Sequence, residues 1–320
     1  MSRFLVTGGA GFIGSHLVEA LLDDGHGVRV LDDLSTGFLR NLPCQAEFIE
    51  GDVADAEAVD RAFEGVDGCF HLAAIASVPR SHCDWVRSHQ INLTGTINVF
   101  DQAKPSRRKR EVPVVYASTA AIYGNCGSVP VDEECPAAPL SAYGADKYAC
   151  ELHARIAGAI HGVPTVGLRF FNLYGPRQAS LSPYSGVVSI FAERLLSGEP
   201  VEIFGDGEQT RDFTYISDAV CALRRAMRAV TTSAFVFNVC TGKGKSVLSL
   251  AQTMAALCRT ELVVHRRPAR CGEVRMSIGD PRRTAEQLGF AARTTLTDGL
   301  AMTIERLKHS SEIKAQVLVA

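Results

Sequence analysis

The chain has 320 residues and a mass of 34.4 kDa, room for about two domains. Its 46 % hydrophobic and 21 % charged residues match ordinary soluble globular proteins and argue against a disordered, collagenous or coiled-coil chain. With 33 basic against 35 acidic residues the net charge is −2, which leaves out the broad basic surface of a nucleic-acid binder.

Residues 3–7 (RFLVT) predict a short buried strand. Gly8, Gly9 and Gly11 follow, then a helix with Ile13, Leu17, Ala20 and Leu21 on one face, ending near Gly25. Strands are predicted at 28–31 and 46–50, a helix at 55–64, a strand at 68–72, a long helix over 84–104 and a strand at 113–117. Strand and helix alternating through short connections is the pattern of an α/β fold with a doubly wound parallel sheet. Further along come a helix from Tyr143 to Gly158, a strand at 165–170 and a Pro/Gly/Ser-rich loop over 174–186. A helix at 187–197, strand 201–204, helix 217–230, strand 235–239 and helices at 246–258 and 282–308 complete the chain.

The basic run Lys104–Arg110 reads as a solvated connection or as a contact segment. The ten cysteines form no Cys-x-x-Cys pair, and no His-x-x-x-His accompanies them, so no metal site is expected. The opening MSRFLVTGG has too short an apolar run for a secretory leader, and no stretch approaches the ~18 apolar residues of a membrane span. A cytoplasmic protein with reduced thiols is the expectation.

Gly8-x-x-Gly11-x-x-Gly14 lies between the first strand and the first helix, the context a dinucleotide fingerprint requires. The glycines permit a tight turn, close approach of a pyrophosphate and packing of the helix on the sheet. Asp32 closes the second strand, where a carboxylate accepts both adenosine ribose hydroxyls and repels a 2′-phosphate; NAD is thus favoured over NADP. Asp52-Val53 follows the third strand, and Asp52 is open to two readings, an adenine contact or a helix N-cap. Tyr143 and Lys147 fall on one helical face, where the lysine charge would lower the tyrosine pKa. Ser118 and Thr119 end a strand at the sheet edge where α/β ligand sites lie.

Together these elements resemble the extended short-chain dehydrogenase/reductase family. The motifs are TGGAGFIGSHL (7–17), HLAA (71–74), NLTGTINVF (92–100), YASTAAIYG (116–124), YGADK (143–147), LRFFNLYGPRQ (168–178) and FGDGEQTRDFTYISD (204–218). Within the family the chain is most similar to the NAD-dependent nucleotide-sugar 4-epimerases, those for UDP-glucose and UDP-N-acetylglucosamine. The resemblance implies a Rossmann domain over 1–168, with returning segments within about 204–240. It implies a smaller nucleotide-sugar lobe from 169–203 and 241–320, and a homodimer built on two of the helices.

The resemblance makes Tyr143 the base on the sugar 4-hydroxyl, Lys147 the ribose ligand that tunes it, and Thr119 the hydroxyl on the 4-oxygen, with Ser118 as its alternative. Tightly bound NAD would meet Gly8, Gly11, Phe12, Ile13, Gly14, Asp32, Asp52, Val53, Leu72, Ala73, Ala74, Tyr143, Lys147 and Phe170. The UDP-sugar would meet Thr119, Asn172, Val187, Arg211, Arg270, Glu273 and Ser277. Arg211 and Arg270 would grip the pyrophosphate bidentately; alternatively Arg211 pairs with Asp206 or Asp212. Ser277, small where relatives carry tyrosine, would leave room for an N-acetyl group, unless it is a plain surface serine. Ala120-Ala121 follow Thr119 where 4,6-dehydratases carry acids, which favours epimerisation through a 4-keto sugar. The other readings are a UDP-glucuronate 4-epimerase or decarboxylase, with Arg80 at the carboxylate, and a non-catalytic NAD-binding protein.

Overall fold

Buried strands that alternate with amphipathic helices are satisfied by a parallel sheet covered on both faces. The computed structural model shows this, describing residues 1–108, 110–127, 129–178, 186–269 and 274–319, with side chains to 309. The first half runs β1 (Arg3–Thr7), α1 (Phe12–Asp23), β2 (Gly27–Asp32), β3 (Glu47–Glu50), α2 (Ala56–Ala62) and β4 (Gly68–His71). It continues through α3 (Val78–Cys83), α4 (Trp85–His89), α5 (Gly95–Gln102) and α6 (Pro105–Arg108) to β5 (Val114–Thr119), α7 (Ala142–His161) and β6 (Thr165–Phe170). Then come β7 (Asn172–Tyr174), α8 (Val187–Leu196), β8 (Val201–Phe204), β9 (Thr210–Tyr215), α9 (Ile216–Met227) and β10 (Phe235–Val239). Last are β11 (Gly244–Ser246), α10 (Val247–Cys258), β12 (Val264–Arg267), β13 (Met276–Ser277), α11 (Arg282–Leu288) and α12 (Leu296–Val319).

The large sheet has seven strands in the order β10-β6-β5-β4-β1-β2-β3, and every pairing is parallel. Strand order reverses between β1 and β4, so their carboxyl ends open a crevice. Successive strand residues point to opposite faces: Val6 and Val115 join the core with Leu17, Ala219 and Leu223, and Leu5 and Val114 the core with Val59, Val99 and Ala154.

The small sheets correct the expected chain path. β8 pairs with β12, and β9 pairs with β7, β11 and β13. Residues 201–215 therefore belong with the small sheets, and the return to the large one starts at α9, which packs on α1, β5 and β6 before β10 takes the edge. The reason is local: Phe213 and Tyr215 on β9 set their rings edge-on to Tyr174 of β7.

The helix predicted over 84–104 is also broken. A π-turn spans Gln90–Thr94 between α4 and α5, where the Asn92 side chain bonds both backbone groups of Ile75, at 2.8 and 3.3 Å. The predicted 282–308 helix is two, because Gly289 ends α11 in the left-handed region and Asp218 holds the amides of Arg293 and Thr294 in the connection. The basic run is stitched down: Lys104 and Arg107 pair with Asp101, Arg108 with Asp60 and Arg110 with Asp67. Among the described residues no acidic, His or Cys group is arranged to hold a metal, and no helix is long and apolar enough to cross a membrane.

Candidate active site

The crevice at the carboxyl ends of β1, β2 and β4 holds a cavity of about 310 Å³. Gly8, Gly11, Phe12, Ile13, Gly14, Asp32, Asp52, Val53, Leu72, Ala73 and Ala74 all line it. Two glycines are required by contact. Gly8 has φ +70°, and a Cβ there would lie 2.7 Å from the Ala73 amide nitrogen. A Cβ on Gly14 would lie 2.2 Å from the Gly8 carbonyl oxygen. Their absence lets the first turn of α1 close on β1. The N-cap of α1 is Gly11, with no side-chain cap bond, so the helix presents its first amides and positive dipole end without a side chain across them. A dinucleotide pyrophosphate fits this cradle.

Asp32 is 7 % exposed at the cavity wall. Its Oδ2 accepts from the Ala10 amide and its Oδ1 from Leu34, both at 2.9 Å. Burial raises its pKa, and the two amides only partly offset this. Asp52 is not the cap of α2, since Asp55 accepts from the Glu57 amide at that end. It lines the cavity, accepts from the Ala54 amide at 2.8 Å and pairs with Arg87 at 2.5 Å. The crevice floor is tied by Thr7, whose Oγ1 accepts from the amides of Leu72 and Ala73 and meets His71 Nδ1 at 2.7 Å. His71 is 1 % exposed, and burial pushes its pKa down to about 3, so it stays neutral.

Ser35, Thr36, Ser77, Gln178 and Gly186 also line the cavity and escaped the sequence reading. Ser35 and Thr36 carry a signal, lying just past the carboxyl end of β2. Gln178 carries none, because only the fold brings the 175–178 turn to the mouth.

Beside the cavity, β5 ends at Thr119 and α7 begins at Ala142, bringing the two expected hydroxyls together. The Thr119 side chain stands by that of Tyr143 and eases its deprotonation, while Thr119 Oγ1 accepts from the Ala121 amide at 3.2 Å. Ser81 Oγ accepts from the Tyr143 amide, tying α7 to the α3 turn that carries Arg80, another cavity-lining residue. Lys147 is 1 % exposed, and its charge acts on His71 at the end of β4.

One electrostatic expectation fails. Helical spacing alone predicts a Tyr143 pKa lowered by the lysine, whereas the phenol is pushed up to about 12. Burial strips water from the phenolate, the neighbouring Thr119 hydroxyl opposes this in part, and Lys147 is not among the groups that move the proton. Burial also lowers the Lys147 pKa.

Ser118, the alternative hydroxyl, is turned away. It donates to Glu151 Oε1 at 2.6 Å, because adjacent strand residues face opposite sides of the sheet. Glu151 and Arg169 form a fully buried bidentate pair, at 2.9 and 2.7 Å. Arg169 also donates to the Tyr123 hydroxyl at 2.9 Å, and Tyr123 donates to Asn238 at 2.6 Å. This network binds β5, β6, β10 and α7 behind the two catalytic candidates.

On the lobe side, Phe170 sits at the end of β6 in register with Thr119 of β5 and Val239 of β10. Asn172 begins β7, opposite Phe213, and Val187 begins α8 directly after the cavity-lining Gly186. Ser277 stands opposite Arg211 in the parallel β13–β9 pair. Neither proposed partner of Arg211 is open to it in the simple way expected. Asp212 accepts from the Thr241 and Gly242 amides and the Thr241 hydroxyl, and Asp206 pairs with Arg275 at 2.7 Å. Arg270 and Glu273 lie outside the described residues.

The sequence model of the NAD dependent epimerase/dehydratase family matches residues 4–240. A UDP-glucose 4-epimerase of Mycolicibacterium smegmatis is 36 % identical over 318 residues, covering 97 % of this chain and all of the relative. A crystal structure of the Thermotoga maritima UDP-glucose 4-epimerase with UDP-glucose is 38 % identical with a TM-score of 0.92, covering 97 % of this chain and 99 % of its own. The UDP-N-acetylglucosamine 4-epimerase of Methanobrevibacter ruminantium, in complex with UDP-N-acetylmuramic acid, is 32 % identical with a TM-score of 0.90 and the same coverage. A UDP-N-acetyl-α-D-glucosaminuronate decarboxylase of Bacillus cytotoxicus is 34 % identical over 276 residues, 82 % of this chain and 83 % of the relative. With this cradle and these likenesses along nearly its whole length, the chain belongs to the NAD dependent epimerase/dehydratase family, and NAD is its cofactor.

Proposed function

We propose that the protein interconverts UDP-sugars at carbon 4. The carrying observation is the Thr119–Tyr143 hydroxyl pair beside the dinucleotide cavity, followed by Ala120 and Ala121. A base and a hydrogen-bonding hydroxyl suffice to move a proton on and off the 4-oxygen. Two alanines supply no acid or base for eliminating water elsewhere on the ring.

In this reading α1 and Asp32 would hold NAD, which would supply a reversible hydride acceptor. Tyr143 removes the 4-hydroxyl proton while Thr119 holds that oxygen. After the sugar turns over in the pocket, Tyr143 returns the proton, so no net oxidation occurs. Lys147 would bind the nicotinamide ribose. Arg211, and in the same reading Arg270, hold the pyrophosphate, with Asn172, Val187 and Glu273 also binding the UDP-sugar.

For the substrate we read Ser277 as the residue beside the sugar 2-substituent. Its small side chain, next to Arg211 in register, favours UDP-GlcNAc and UDP-GalNAc, with UDP-glucose and UDP-galactose also accepted. The second reading is a UDP-uronic acid, supported by Arg80 on the cavity wall and by the decarboxylase relative. Purified protein incubated separately with UDP-GlcNAc, UDP-glucose and UDP-glucuronate, with products resolved chromatographically, decides among them. Formation of UDP-GalNAc supports the first reading; turnover of UDP-glucuronate alone would replace it.

The exposed stripe Leu152, Ile156 and Ile160 on α7 supports a homodimer, since a helical row of apolar side chains is costly to leave in water. We place this UDP-sugar enzyme in the cytoplasm, in keeping with its ordinary globular composition.

A further inference from the structure

Two cysteines that the site does not use stand together. Cys126 and Cys135 lie on the loop that leaves Tyr123 and returns to Ser141, and their Sγ atoms are 2.6 Å apart. Each is partly exposed and flanked by exposed residues: Asn125 and Gly127 beside the first, Glu134 and Pro136 beside the second. The turn before Cys135 is fixed, because Asp132 Oδ1 accepts from the amides of Glu134 and Cys135 at 3.0 and 3.1 Å.

This loop joins the two parts of the molecule. The Val131 amide donates to the Ile278 carbonyl, and the Asp280 amide to that of Val131, both at 2.9 Å, just past Ser277. Glu133 accepts from the Asn238 amide at 2.7 Å, and its carbonyl accepts from Arg169 at 3.1 Å. Whatever restrains residues 126–135 therefore restrains the contact between the large sheet and β13.

We propose that Cys126 and Cys135 are a reversible dithiol–disulfide couple that clamps this loop, oxidised by a low-molecular-weight disulfide. One cysteine thiolate attacks a sulfur of the small disulfide, forming a mixed disulfide and releasing one thiol. The other cysteine attacks the protein-bound sulfur, closing the protein disulfide and releasing the second thiol. Two protein thiols are oxidised and one small disulfide is reduced, so electrons and protons balance. The sulfurs already touch, so the second step needs no rearrangement of the backbone. The proposal is independent of the sugar acted on.

The sequence makes the test direct. Trypsin releases Glu111–Lys147 as one peptide whose only cysteines are these two. The full-length protein is treated with oxidised glutathione, remaining thiols are alkylated, and the digest is weighed. The expected peptide is unalkylated and about 2 Da lighter than the dithiol form, and a dithiol reductant reverses this. In Cys126→Ser the same peptide carries glutathione on Cys135 instead. Hydrogen exchange at Val131 and Asp280 slows in the oxidised wild type and not in Cys126→Ser. A doubly alkylated or doubly glutathionylated peptide, while exposed Cys44 and Cys83 react, overturns the couple. Unchanged exchange in the cross-linked protein overturns the clamp.

Discussion

Thr119 and Tyr143 bring their side chains together, one at the last residue of a strand and the other in the first turn of a helix. The loop between them leaves the sheet and comes back, so the pair exists only in the folded chain. Tyr143→Phe deletes the phenol oxygen and keeps the ring. Turnover is expected to fall on the order of 10³-fold, while UDP-sugar binding by calorimetry stays within a few-fold. Retained turnover would remove Tyr143 from the role of base.

The raised Tyr143 pKa gives a second test. With its proton held up to about 12, the phenol of the NAD-free protein stays neutral through neutral and mildly basic pH. Its folded value lies above the ordinary ~10, so the stability it contributes is complete below about 10 and is lost as pH rises toward about 12. The stability gap between wild type and Tyr143→Phe should narrow over that window. Oxidised NAD carries a positive ring, and loading it should move phenolate absorbance, read as a difference against Tyr143→Phe, to lower pH. An identical titration with and without NAD would contradict activation by the cofactor charge.

Much of this was legible in sequence because it is local. Gly8, Gly11 and Gly14 between a strand and a helix shape the cavity through backbone sterics, and Asp32 at a strand end lines it with a buried carboxylate. Tyr143 and Lys147 follow from helical spacing. What sequence could not show is set by distant partners. Ser118 and Thr119 look equivalent until strand alternation sends one to Glu151 and the other to Tyr143. β13 is only two residues long, and its strand character comes from pairing with β9. The sign of the Tyr143 shift depends on burial, which residue type does not reveal.

Asp32 should set cofactor choice. A buried carboxylate accepting ribose hydroxyls contributes about 1.5–3 kcal/mol, so Asp32→Asn should weaken NAD by roughly tenfold or more while easing NADP, both read by titration of cofactor-stripped protein. Burial raises the Asp32 pKa, so its charge is lost on acidification sooner than from an ordinary aspartate. NAD affinity should accordingly decline with falling pH in the wild type more steeply than in Asp32→Asn. Equal NAD affinity in both proteins would place the ribose elsewhere.

Ser277→Tyr tests the reading of the sugar pocket. Opposite Arg211, a phenol ring would occupy the space assigned to an N-acetyl group. Steric rejection of one substituent is worth about 1–3 kcal/mol, so kcat/KM for UDP-GlcNAc should drop about 10- to 100-fold relative to UDP-glucose. An unchanged ratio would make Ser277 a bystander.

The Glu151–Arg169 pair should behave asymmetrically under mutation. Both side chains are buried, and Glu151 also accepts the Ser118 hydroxyl. Arg169→Ala strands a buried carboxylate without its cation, which costs about 3–5 kcal/mol. It also cuts the bonds to Tyr123 and to the Glu133 carbonyl, loosening the loop that reaches Val131. Replacing both partners by methionine removes the charge together with its counter-charge, and such exchanges are close to neutral in stability. Denaturant melts should therefore rank the double variant well above Arg169→Ala. The double variant should still turn over more slowly than wild type, because Ser118 and Tyr123 lose the partners that fix the carboxyl end of β5 behind Thr119. If the double variant is the less stable of the two, the pair holds the fold through its geometry and not through mutual neutralisation of charge.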